Sequence, residues 1–172
     1  HGVSATPIGG ANSTTSGMVF DGTDDYIDLG PIQTGGTRTI EIYFDLDILN
    51  TDTSDYPNLY NFADGQNNNE ISLYYTTANN ILTYKHGDSG VLFSSTNLSN
   101  YTGLIHHVIT VEHSGSTANI KQYINAEEII SHTTSIQFTL HTRAINYIGA
   151  RCNNTRRSKT NVSYFRIWQG TA

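Results

Sequence analysis

Residues 39–48 read Thr-Ile-Glu-Ile-Tyr-Phe-Asp-Leu-Asp-Ile. Ile40, Ile42, Phe44, Leu46 and Ile48 alternate with Glu41, Tyr43, Asp45 and Asp47. Successive side chains of a strand point to opposite faces, so this period of two sets the first group against a core and the second in water. Such a half-wet strand belongs to an antiparallel sheet. Further short β-prone runs lie at 18–20, 26–29, 58–62, 71–76, 81–85, 91–94, 105–112, 119–124, 128–132, 145–148 and 162–168. Turn residues fall between them: Asp21-Gly22, Asp64-Gly65, Ala78-Asn79-Asn80, His86 to Gly90, Ser114-Gly115 and Asn125-Ala126. Runs 71–76 and 81–85 are spaced as one hairpin, 105–112 and 119–124 as another. No stretch carries three turns of amphipathic helix. The pattern predicts an all-β, two-sheet antiparallel sandwich.

Composition narrows the function. Of 172 residues only 14% are charged, against a usual ~25%. Asn, Thr, Ser, Gly and eleven tyrosines take their place. The net charge of −6 and the lack of a Lys/Arg-rich face argue against nucleic acid, whose binding rests on neutralised phosphates. No apolar run nears the ~20 residues of a membrane helix. The single cysteine, Cys152, allows no disulfide within the chain; an adjacent cation such as Arg151 can lower a thiol pKa, but a lone loop cysteine is expected to be incidental. Residues 1–17, rich in Gly, Ser, Thr and Ala, are expected to form an arm or linker, with the domain at 18–172. The start at His1-Gly2-Val3, without Met and without a signal peptide, suggests a fragment or processed form of a larger protein.

Three stretches in order resemble the concanavalin A-like, laminin-G-like jelly-roll family. They are Met18 to Gly30 (Met-Val-Phe-Asp-Gly-Thr-Asp-Asp-Tyr-Ile-Asp-Leu-Gly); His106-His107-Val108-Ile109-Thr110-Val111 through Ser114-Gly115 to Tyr123-Ile124-Asn125; and Tyr147 to Arg151 followed by Tyr164-Phe165-Arg166-Ile167-Trp168. Thr39 to Phe44 resembles the family's early aromatic strand. The resemblance implies a jelly roll whose last strand pairs near the first, with Trp168 in the core or sealing an edge. It also implies a single structural Ca²⁺, for which Asp21, Asp24 and Asp25 offer the oxygens a hard cation needs. The family's usual Asp on the last strand is replaced here by Ser163. Asn68-Asn69-Glu70 resembles a pentraxin calcium stretch, but Arg151 stands where that family's second carboxylate segment would begin.

Catalysis is not expected. Glycosidases of this fold need two carboxyl groups ~5–9.5 Å apart. Their tight Glu-x-Asp-x-Glu strand is not matched by Glu41-x-x-x-Asp45-x-Asp47. His106 and His107 point to opposite faces and cannot chelate one metal together. The chain is expected to be a lectin-like carbohydrate-recognition domain of an extracellular or virion-surface protein. The alternative is an adhesion or assembly module, such as a viral fibre domain, with oligomers formed through the parent protein. Candidate ligand-binding residues are Asp64, Asn68 and Asn69 in one loop, Arg151, Asn153, Arg156 and Arg157 in another, and Tyr74 with Tyr84 on one wet sheet face. The three arginines point to an acidic or sulfated glycan.

Overall fold

The computed structural model describes residues 4–49, 52, 56–65, 68–87, 92–135 and 138–170. The chain opens with β1 (Thr6–Ile8), β2 (Asn12–Thr14), β3 (Gly17–Asp21), β4 (Tyr26–Asp28), β5 (Ile32–Thr34) and β6 (Arg38–Asp45). A helical turn, α1 (Leu46–Leu49), precedes β7 (Asn58–Ala63), β8 (Ile71–Thr76), β9 (Ile81–His86) and β10 (Leu92–Asn97). Then follow β11 (Leu104–Ser114), β12 (Thr117–Ile124), β13 (Glu127–Thr134), β14 (His141–Arg143), β15 (Ile145–Ile148) and β16 (Lys159–Gln169). One seven-stranded sheet has the order β1-β4-β15-β7-β8-β9-β10, and the other the order β13-β12-β11-β6-β16-β3-β2. β5 and β14 form a two-stranded ribbon. The pairings are antiparallel, so the sandwich is the expected jelly-roll kind.

Both anticipated hairpins form, β8 with β9 and β11 with β12. The anticipated turn at 86–90 and the start of the run at 91 fall largely outside the described residues. On β6 the alternation holds through Asp45: Ile40, Ile42 and Phe44 are buried, while Glu41, Tyr43 and Asp45 are half-exposed. The inner face of the first sheet meets them with Tyr60, Phe62, Leu73 and Tyr84, all fully buried. Burying each such side chain contributes roughly 1.5–3 kcal/mol before entropy is set against it. The two sheets close around the chain's ends as the family resemblance implied, with β16 lying between β6 and β3.

Three expectations are corrected. Residues 6–14 are built into the sandwich: β1 pairs with β4 at the edge of one sheet, and β2 with β3 at the edge of the other. Short edge strands need only backbone hydrogen bonds, which a Gly/Ser/Thr-rich composition does not advertise. The strand at 39–48 stops at Asp45. Leu46 and Leu49, three apart and both fully buried, instead share the inner side of α1, and Asp45 Oδ1 accepts the Ile48 N–H at 3.2 Å. Trp168 neither fills the core nor seals an edge; it stands 40% exposed on the outer face of the second sheet.

Candidate functional site: the outer face of the second sheet

Several residues of the loops singled out from the sequence hold the fold together. The segment after β15 turns back across the outer face of the first sheet. Gly149 donates its N–H to Leu59 O at 3.0 Å, Cys152 donates to Asn61 Oδ1 at 3.1 Å, and Ser158 Oγ donates to Asn58 O at 2.7 Å. Asn61 and Ser72, whose side chains leave that face outward, are fully buried beneath it. Arg151 is therefore buried too, with its Nε 3.6 Å from Glu70 Oε1. Glu70 also binds Lys85 Nζ and accepts from Asn61 Nδ2. So Glu70, the last residue of the pentraxin-like stretch, is taken up by internal ion pairs. Burial pushes the Cys152 thiol up and outweighs the opposing charge of Arg151.

The remaining candidates are scattered. Asp64 accepts from Asn69 Nδ2 at 2.9 Å, from His141 Nε2 and from the Ala144 N–H. Partial burial opposes its ionisation, but these hydrogen bonds outweigh it and hold the carboxyl below the usual range. Asn68 is exposed beside it. Asn153 is exposed, and its side chain accepts from Thr155 Oγ1 at 2.5 Å. Arg156 stacks over the Tyr56 ring at 4.9 Å, and Tyr56 meets Tyr74 edge-on at 6.1 Å, so Tyr74 is half-covered. Arg157 is half-buried. Tyr84 is not on a wet face. It pairs with Leu73, so it points into the core, where Arg38 donates to the Tyr84 hydroxyl, while Tyr74, opposite Thr83, points out. The error came from assuming a register that the turn at 77–80 shifts by one residue, which moves a strand's side chains to the opposite face.

The acidic turn does gather. Asp21, Asp24 and Asp25 each offer a carboxylate oxygen, all within 4.8 Å of one another. Asp25 is buried, and its two oxygens accept the N–H groups of Gly10 and Asp21. Asp21 Oδ1 accepts from Thr23 N at 2.6 Å. The Asp25 bonds tie the turn at Gly9-Gly10 to the turn at 21–25. Three hard oxygen donors in a fixed array suit Ca²⁺, which takes 6–8 oxygens and so would need main-chain carbonyls or water besides.

The outer face of the second sheet is different in kind. Across β11, β6 and β16 the register aligns His106, Tyr43 and Tyr164 in one row, and Val108, Glu41 and Arg166 in the next. Tyr43 stacks on His106 (ring centroids 4.2 Å apart, 21° between planes) and lies 4.8 Å from Tyr164. Glu41 Oε1 accepts from His106 Nε2 at 2.6 Å and from the Tyr164 hydroxyl. Partial burial and that hydrogen bond push the Tyr164 phenol up to about 12. The exposed Arg166 guanidinium lies 4.7 Å above the Tyr164 ring and 6.0 Å from that of Trp168.

A β-bulge creates this arrangement. The pairing of β16 with β6 shifts between Val162 and Tyr164, leaving Ser163 as the extra residue. Val162 points inward; without the bulge Tyr164 would too. With it, Tyr164, Arg166 and Trp168 turn outward, and Phe165 and Ile167 point to the core side. Beside the Tyr43 row, a hollow of about 450 Å³ is lined by Asp45, Leu104, Asn161, Ser163 and residues 15–17. Asp45, two residues from Tyr43, lies roughly 6.5–7 Å further along the strand. The face thus offers aromatic rings, a guanidinium, a carboxylate held by two donors, and an acid and an amide at its margin. Sequence reasoning named Glu41 and Asp45 only as failed catalytic partners and missed the aromatic cluster, because the residues meet across three strands.

The sequence matches, over residues 21–172, the family described as the concanavalin A-like lectin/glucanases superfamily of laminin-G type. The chain belongs to that superfamily. Among solved structures it is similar to a legume lectin-like domain from Entamoeba histolytica (8% identity, 96% of this chain and 89% of that one covered, TM-score 0.55). It is also similar to a native glycosidic hydrolase (12% identity, 94% and 82% covered, TM-score 0.55). These likenesses show a fold shared by lectins and glycosidases. No curated protein matches the chain.

Proposed function

We propose that the protein is a carbohydrate-binding domain and that the glycan lies on the outer face of the second sheet. The half-exposed aromatic row Tyr43–His106–Tyr164, extended by the exposed Arg166 and Trp168, carries this reading. Sugars bind through ring faces flanked by a few polar groups that fix orientation. Arg166, held by two rings, is suited to a carboxylate or sulfate, so an acidic glycan is the preferred ligand. Binding rather than hydrolysis is favoured because Glu41 is the one carboxylate at the centre of this face among the described residues. The backbone positions of Glu41 and Asp45, four residues apart on the strand, are separated by roughly 13 Å, and Glu41 Oε1 is already held by His106 and Tyr164, whereas glycoside hydrolysis uses two carboxyl groups ~5–9.5 Å apart. The proposed setting remains an extracellular or virion surface.

A glycan array with sialylated, sulfated and neutral arms tests this, using the parent chain, Trp168→Ala, Arg166→Gln and the double variant Arg156→Ala/Arg157→Ala. The expected result is acidic hits lost in the first two variants and kept in the third. Loss only in the third would return the site to the loop at 151–157, and an array without hits would favour the assembly module. A single structural Ca²⁺ at Asp21, Asp24 and Asp25 is the companion proposal. Calcium should then raise the melting temperature and EDTA lower it; a melting temperature indifferent to both would make the acids turn residues only.

A further inference from the structure

Inward-facing side chains at the two flanks of the sandwich are not equally covered. On β11 and β12, Ile105, Ile109, Val111, Ile120 and Ile124 are all fully buried. On the flank where β16 and β3 face β4 and β5, Met18, Leu29, Ile32, Phe165 and Ile167 are only partly covered although they pack against the core. Between them lies a cleft of about 810 Å³. Its floor is Ile27, Ile148 and Val162, all buried. At its edge stands Gly17, where a Cβ would fall 2.3 Å from Val162 O, so no side chain can grow there to fill it.

Among the described residues the lining has no charged side chain. Its polar groups are neutral: Ser13, Gln33, Thr34, Ser163 and Gln169, with the Tyr164 hydroxyl engaged by Glu41. Thr34 is buried, and its Oγ1 already accepts from Arg143 Nη1 at 2.8 Å, so its own hydrogen is directed to another acceptor. Arg143 itself is buried behind Thr34 and bonds Thr34 O and Asn69 O, away from the cleft. A cleft of this size matches small-molecule sites of ~300–1,000 Å³, which are mostly apolar with a few polar groups. Filling it with water would leave that apolar surface wet, and an anionic occupant would bury its charge unpaired.

We propose that the open flank is a second ligand site, bordering the glycan face at Ser163 and Tyr164 but opening between the sheets, for a neutral and chiefly apolar molecule bearing one oxygen acceptor near Thr34. Long-chain alcohols and fused-ring alcohols share this chemistry. The test is fluorescence titration of the purified chain with Nile red, competed by 1-hexadecanol, by cholesterol and by palmitate. The expected result is saturable Nile red binding, displaced by hexadecanol or by cholesterol, with palmitate at least tenfold weaker than the better alcohol; which alcohol competes distinguishes the two sources. Ile167→Trp, and the milder Leu29→Phe, fill the cleft and should weaken Nile red binding at least tenfold in a folded protein. Trp168→Ala, on the opposite face of the same strand, should leave it unchanged. The proposal is overturned if neither alcohol displaces the dye, if palmitate competes as well as they do, or if both folded filling variants bind Nile red like the parent.

Discussion

On the first sheet the outward side chains of β7, β8 and β9, among them Asn61, Ser72 and Lys85, lie under the segment that follows β15. On the second, those of β6, β11 and β16 face water, and Trp168 and Arg166 stand free above the strands. Two antiparallel sheets of seven strands, built on the same backbone rules, thus use their outer faces in opposite ways. The covered face spends its charges on internal pairing, with Glu70 held between Lys85 and Arg151. The bare face keeps Glu41 and Arg166 within reach of a ligand. A polar cluster is therefore a better guide to binding when nothing in the chain has already occupied it.

The largest break in this contrast is expected from Glu70→Ala. It strands two buried cations, and removing one partner of a buried pair typically costs about 3–5 kcal/mol. Urea unfolding should show that loss, while the glycan affinity of the folded protein stays unchanged. An equal loss of affinity would mean that the covered face takes part in binding.

Acid should act next, and on the interior of both sheets. Burial lowers His107, hydrogen-bonded to Gln122, to about 4, and burial with the neighbouring Arg38 lowers His86. Because the folded values lie below the unfolded ~6.5, the unfolded chain binds the extra protons in between. Stability is then full above pH ~6.5 and falls as the pH drops toward 4. The His107 share is on the order of 3 kcal/mol, at 1.36 kcal/mol per unit. Denaturant midpoints between pH 7 and 4 check this, and His107→Gln should flatten the fall.

On the bare face the effects should appear in binding and not in stability. Trp168→Ala is expected to weaken the glycan complex by about 2 kcal/mol, as aromatic hot spots do. Its unfolding midpoint should shift by less than ~0.5 kcal/mol, in keeping with an exposed residue. The smallest effect concerns the β12–β13 turn at the edge of that sheet. Asn125 and Ala126 both have positive φ, of 51° and 69°. Asn tolerates this conformation and Ala does not, so Ala126→Gly should stabilise by roughly 0.5–1 kcal/mol in thermal unfolding. No gain there would mean that the turn relaxes without strain.

The sequence by itself determined the fold. The alternation from Ile40 to Phe44, the two hairpins and the ordered motifs from Met18 to Trp168 lead to an antiparallel sandwich, because strand periodicity and turn chemistry are local properties. It also placed Asp21, Asp24 and Asp25 together, since a single turn spans them. Only the tertiary structure decided which face is free. That the segment carrying Arg151 folds over Asn61, that one register sends Tyr84 inward and Tyr74 outward, and that Ser163 bulges to turn Tyr164 toward Tyr43 are all matters of pairing between distant strands. A shift of one residue reverses every side chain of a strand, and such a shift leaves no mark in composition or period, so the proposed binding face emerges only when the strands are seen side by side.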